Sequence, residues 1–68
     1  MSVARVTEIS ARSEGSFEEA IREGVDRANK TLRNVKSAWI KEQEVSITGD
    51  RISSYRVNMQ ITFVLDDV

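Results

Sequence analysis

The stretch Tyr55-Arg56-Val57-Asn58-Met59-Gln60-Ile61-Thr62-Phe63-Val64-Leu65 decides the fold, because Tyr55, Val57, Met59, Ile61, Phe63 and Leu65 alternate without a break against the other five residues. An unbroken period of two is the pattern of a β-strand with one apolar face. At about 3.3 Å per residue eleven residues reach roughly 36 Å. A compact chain of 68 residues has a radius of gyration near 11 Å and a diameter of only about 28 Å. The strand is longer than the body it belongs to, so it must curve or project, leaving backbone edges and side chains that one subunit cannot cover.

Upstream, Lys36 to Ile47 carries Ala38 and Ile40 on one parity and Trp39, Val45 and Ile47 on the other, which reads as a second long strand. Thr48-Gly49-Asp50-Arg51 between the two supplies a tight turn, with Gly49 free to take positive φ. A hairpin follows. If Gly49-Asp50 is a two-residue turn, Thr48 faces Arg51, and every opposed pair has the same sum of residue numbers. That register sets Ala38 against Ile61 and Ile40 against Met59 on one face. On the other it sets Ser37 against Thr62, Trp39 against Gln60, Lys41 against Asn58 and Gln43 against Arg56. A slip of one residue would mix the faces, so the segregation supports the register, which a bulge in mid-hairpin would break.

Ahead of the hairpin, Ser16-Phe17-Glu18-Glu19 matches a capping box, in which Ser16 and Glu19 each satisfy a free backbone donor. Phe17, Ala20, Ile21, Val25, Ala28, Leu32 and Val35 recur at steps of three and four, the core stripe of a helix of about five turns. Glu18 and Arg22, Glu23 and Arg27, and Asp26 and Lys30 are spaced i, i+4 with the acid first, each pair contributing about 0.3 kcal/mol on a solvated face. Gly24 inside this helix costs about 1 kcal/mol relative to Ala, and close packing against a strand would account for it. Arg33 and Asn34 suit the helix exit. Val3 to Ser10 reads as a short strand rich in β-branched residues, and Ala11 to Gly15 as a polar loop. The order is β-α-β-β: an α+β subunit with a three-stranded antiparallel sheet against one helix.

Residues 1–68 form a single domain, at a size where one core gives marginal stability without support. With no cysteine and no histidine, disulfides, thiolate metal sites and the commonest general base are excluded. Oligomerisation is the support that remains. Ten basic against eleven acidic residues leave a formal charge of −1, so no basic patch points to nucleic acid or an anionic membrane. No apolar run has the length of a membrane span or a signal peptide core, and the chain reads as soluble and cytoplasmic.

The register leaves Trp39, the chain's single tryptophan, among amides, hydroxyls and cations on the face turned from the helix. Trp is enriched in subunit interfaces, and Trp39 fits one. It equally fits a stacking surface for a planar ligand, with Arg56, Gln60, Gln43 and Lys41 placed to hydrogen-bond ring edges or a phosphate. A ligand on a symmetry axis between subunits would satisfy both readings. Glu42, Glu44, Asp66 and Asp67 are candidate ligands for a hard cation. No glycine-rich phosphate loop and no nucleophile with a visible base is present, so the chain does not read as an enzyme.

In its order, spacing and length the chain resembles the dodecins. The residues that carry the likeness are Val6-Thr7-Glu8-Ile9, Ser13-Glu14-Gly15-Ser16-Phe17-Glu18-Glu19-Ala20-Ile21, Ala28-Asn29-Lys30-Thr31-Leu32-Arg33-Asn34, Tyr55-Arg56-Val57, Ile61-Thr62-Phe63 and Leu65-Asp66. The resemblance implies a sheet that wraps its helix and a hollow homododecamer that stores or sequesters flavins (riboflavin, FMN or FAD) in pairs at two-fold axes, without catalysis. The family's stacking tryptophan falls at the position of Ser37, and its ring-contacting glutamine at that of Arg56. Trp39 lies two residues on, on the same face, as a displaced stacking surface. Ser37 to Glu44 with Tyr55-Arg56-Val57 looks more like a branch that lacks the flavin tryptophan, some of whose members are associated with calcium. A flavin store is therefore the first expectation, and a flavin-free shell that binds calcium or serves an interaction role the second.

Overall fold

In the computed structural model, which describes residues 2–65, the elements follow the expected order: β1 (Ala4–Ser13), α1 (Phe17–Thr31), β2 (Val35–Thr48) and β3 (Arg51–Val64). The sheet order is β1-β3-β2, with both pairings antiparallel. The most regularly alternating strand thus takes the centre, where both of its edges are bonded. Gly49 turns the hairpin at φ 66°, a conformation that costs glycine nothing.

Two boundaries differ from expectation. Ala11, Arg12 and Ser13, expected in a loop, continue β1, since Ala11 faces Val57 and Ser13 faces Tyr55. The buried Ser13 hydroxyl then joins strand to helix: it accepts from the Gly15 N–H at 2.9 Å and donates to Glu19 Oε1 at 2.8 Å. The capping box forms on one side, the Ser16 hydroxyl accepting from the Glu19 N–H at 3.0 Å, while the Glu19 carboxylate turns to Ser13. At its other end α1 stops at Thr31, about one turn early. Leu32 is already extended at φ −119° and ψ 147°, its N–H bonded to the Ala28 carbonyl at 2.8 Å. Asn34 then takes φ 61°, a left-handed conformation that asparagine tolerates better than most residues. Its carbonyl accepts from the Val64 N–H at 3.0 Å, and its side-chain amide donates to the Val64 carbonyl at 3.3 Å. Leu32 and Val35 still pack on the core, but as extended chain.

That core consists of Ala20, Ala28, Val57, Met59 and Ile61, closed at the helix start by the Phe17 ring set edge-on to Tyr55 at 5.1 Å between centroids. Of the expected surface pairs, Glu18 and Arg22 meet at 2.9 Å. Small residues dominate the helix side, with Ala20, Gly24 and Ala28 all buried. A Cβ on Gly24 would sit 2.7 Å from Met59 Cε and 3.2 Å from Ala11 Cβ. Close approach is thus the reason for a glycine in mid-helix. Gly24→Ala would gain about 1 kcal/mol of helix propensity against an overpacking cost of roughly 1–3 kcal/mol. We expect a net loss near 1 kcal/mol, read as a melting point about 4–8 °C lower; a higher melting point would show that the Met59 methyl simply swings aside.

The chain measures 53 × 19 × 13 Å with a radius of gyration of 14.1 Å, against about 11 Å for a compact chain of its length. The long hairpin does project. The α1 helix, 15 residues or about 22 Å, lies against strands of 14 residues or about 46 Å.

Candidate functional site

The face of the sheet turned from α1 is polar, and its composition depends on where the hairpin departs from simple pairing. From Ser37 to Ile40 the pairing is the expected one: Ser37 with Thr62, Trp39 with Gln60, Ala38 with Ile61, Ile40 with Met59. Beyond Ile40 it is not. Lys41 is an extra residue in β2, so Glu42 faces Asn58, Gln43 faces Val57 and Glu44 faces Arg56. The expected pairs Lys41 with Asn58 and Gln43 with Arg56 are therefore corrected, for the physical reason that a bulge sets two residues of one strand against one of the other. Ser53, an extra residue in β3, restores the original register at Ile47 with Ile52. A further shift lies at Lys36, ahead of Ser37.

Each candidate residue can now be placed. Trp39 stands 72% exposed in a cross-sheet row with Gln60 and Glu8. Ser37 lies one pleat along the same face, in the row of Thr62 and Val6. Lys41 keeps to this face and reaches across the sheet to Glu8 Oε1 at 3.4 Å. Glu42 accepts from Asn58 Nδ2 at 2.9 Å. Arg56 stands between Glu44 and Arg12, and Arg12 meets Glu14 at 3.8 Å. Gln43 falls on the parity of Val57, toward the helix side, yet its edge helps to line a cleft of about 230 Å³ with Glu42, Glu44, Arg56 and Asn58.

The bulge thus gathers two carboxylates, a guanidinium and an amide next to the exposed indole. The arrangement offers a flat apolar surface with polar groups of both signs around it, suited to a planar heteroaromatic ring. Of the cation candidates, Glu42 and Glu44 share the cleft, whereas Asp66 and Asp67 lie outside the described residues. Among the described residues no group of three or more acidic, histidine or cysteine side chains converges as a ready-made metal site. Glu8, which holds Lys41, was not foreseen; its place depends on the pairing of β1 with β3, for which local sequence carries no signal.

A second concavity, a groove of about 700 Å³ between β1 and α1, has Ile9, Ala11, Ala28 and Leu32 among its lining and the exposed Glu23, Asp26, Arg27 and Lys30 at its rim. No helix among the described residues is long and apolar enough to cross a membrane.

The dodecin family model matches residues 3–66. The calcium dodecin of Mycobacterium tuberculosis is 30% identical over 63 residues, covering 93% of this chain and 89% of that protein. Among solved structures, the dodecin from Streptomyces davaonensis superposes with a TM-score of 0.92 at 32% identity, over 97% of each chain. A variant of the Thermus thermophilus dodecin gives 0.93 at 29% identity over all of both chains. The M. tuberculosis calcium dodecin, described as calcium-chelating with a novel calcium-binding site, gives 0.79 at 29% identity, over 90% of this chain and 87% of that one.

Proposed function

The chain belongs to the dodecin family, and from that premise we propose that it is a non-enzymatic cytoplasmic protein that binds and stores a small planar ligand, flavins first, between subunits of a hollow homododecamer. Each subunit is one domain over residues 1–68. The observation that carries this reading is Trp39, 72% exposed on a face that also carries Ser37, Lys41, Gln60 and Arg56, with Glu42 and Glu44 beside them. A large aromatic face held in water costs free energy that a stacked ring recovers, and amides and cations at its margin supply hydrogen bonds to ring edges. With Ser37 where the family's flavin tryptophan would stand, the stacking surface is displaced by two residues, and the chain is assigned to the branch without that tryptophan. Titrating riboflavin, FMN and FAD with the protein should quench flavin fluorescence. A colourless preparation and undiminished fluorescence at saturating protein would overturn the proposal.

The bulge at Lys41 favours a second reading. It places Glu42 and Glu44 on one face of one cleft, two oxygen donors of the type calcium takes, and a relative 30% identical is a calcium dodecin. Calorimetry with calcium chloride tests it. Heat and a raised melting point should appear in the native chain and be lost in Glu42→Gln/Glu44→Gln; absence of both in the native chain excludes the cation.

A further inference from the structure

The apolar stripe on the helix side of the hairpin does not end where the helix does. Val45 faces Tyr55, the residue that meets Phe17 at the first turn of α1. Two residues further along β2, Ile47 faces Ile52 on the same side, beyond the helix start. These two isoleucines are 67% and 52% exposed. The Ser53 bulge keeps them there, since without it Ile52 would fall on the parity of Arg56. The chain spends an extra residue to hold both isoleucines on a face that its own helix does not cover.

The surface area says how much is left uncovered. The chain exposes 5272 Å², whereas a compact monomer of 7.7 kDa exposes about 4300 Å². The excess, roughly 900 Å², matches the ~800 Å² per partner that a stable protein interface buries. The same chain carries an apolar recess, the groove between β1 and α1. Its floor of Ile9, Ala11, Ala28 and Leu32 is edged by exposed charges of both signs, Glu23, Asp26, Arg27 and Lys30, so the groove offers apolar side chains a recess inside a polar rim.

We infer that the distal hairpin, residues 44–55, is an arm that docks on a second copy of this chain, laying Val45, Ile47 and Ile52 into the groove between that copy's β1 and α1. The contact joins two different surfaces, so it is head-to-tail, and it propagates into closed rings where the rotation between copies permits. It rests on the assembly part of the proposed function and adds the surfaces that make it.

The test uses a chain that has no cysteine of its own. By light scattering, Ile47→Asp/Ile52→Asp should move the protein from the assembled mass to the monomer mass with its circular dichroism retained, while Ile47→Thr/Ile52→Thr, which keeps β-branching, should weaken assembly partially. In Ile47→Cys/Arg27→Cys, air oxidation should give a ladder of covalent multimers, absent from either single variant. A native chain that is itself monomeric defeats the assembly reading and the arm with it. Native assembly that survives the aspartates defeats the arm alone. Covalent dimers from Ile47→Cys by itself would mean that arm meets arm, which overturns the groove as its partner.

Discussion

Replacing Met59 by alanine should lower the stability of the chain by about 3 kcal/mol, a large part of the ~5 kcal/mol available to a domain this small. Met59 is fully buried in the central strand, and the apolar cluster around it is small, formed with Val57, Ile61, Ala20 and Ala28. These buried neighbours are small or β-branched, so they reach poorly into the space that the long methionine side chain leaves. The effect is tied to Gly24 through the contact described above, where an added Cβ would meet Met59 Cε at 2.7 Å. In the Met59→Ala background that obstruction is gone, so Gly24→Ala should change sign and stabilise, recovering up to about 1 kcal/mol of helix propensity. Denaturant titration of both single variants and the double variant checks it, with a coupling of at least about 1 kcal/mol expected for residues in contact. Additive effects would mean that the helix does not press on the strand at this point.

Trp39→Ala should weaken flavin binding roughly 30-fold, the equivalent of about 2 kcal/mol, which is the usual worth of one stacked ring. Trp39→Phe should keep most of the affinity. The indole lies outside the core cluster, so neither variant should change stability by more than about 0.5 kcal/mol, nor the mass of the particle. The measurement is flavin fluorescence together with light scattering on the same samples. A fall in particle mass on Trp39→Ala, with affinity altered only in proportion, would make Trp39 an interface residue and defeat the stacking role.

The architecture was legible because it is written in short-range patterns. The alternation from Tyr55 to Leu65 marked the central strand, Gly49 marked the turn, and Ser16 marked the helix start. The near half of the hairpin register was legible too, since Ala38, Ile40, Met59 and Ile61 can share a face in only one way. The candidate site was less so. Lys41 has nothing about it that announces a bulge; the extra residue follows from the coiling of a long twisted ribbon, a property of the whole sheet. Once it is inserted, Glu42 and Glu44 take the places expected of Lys41 and Gln43. The early end of α1 has a similar cause. Leu32 and Val35 fit the helical stripe, but both reach the same core as extended chain once Asn34 turns left-handed and clamps Val64. Ser13 belongs to a polar run that reads as loop, and only the fold shows its hydroxyl buried with bonds to Gly15 and Glu19.

The bulge at Lys41 also carries an electrostatic consequence. With straight pairing, β2 would present Lys41 and Gln43 beside Trp39, a local charge of +1; with the bulge it presents Lys41, Glu42 and Glu44, a local charge of −1. One inserted residue shifts that side of the face by two units without altering the composition of the chain. On the β2 side of the face the local potential follows the placement of a backbone irregularity: a cation is attracted, an uncharged isoalloxazine is indifferent, and a phosphorylated flavin meets repulsion. With the same amino acids in β2 but the extra residue one pleat along, at Gln43, the same side would carry Lys41 and Glu44 and a local charge of zero.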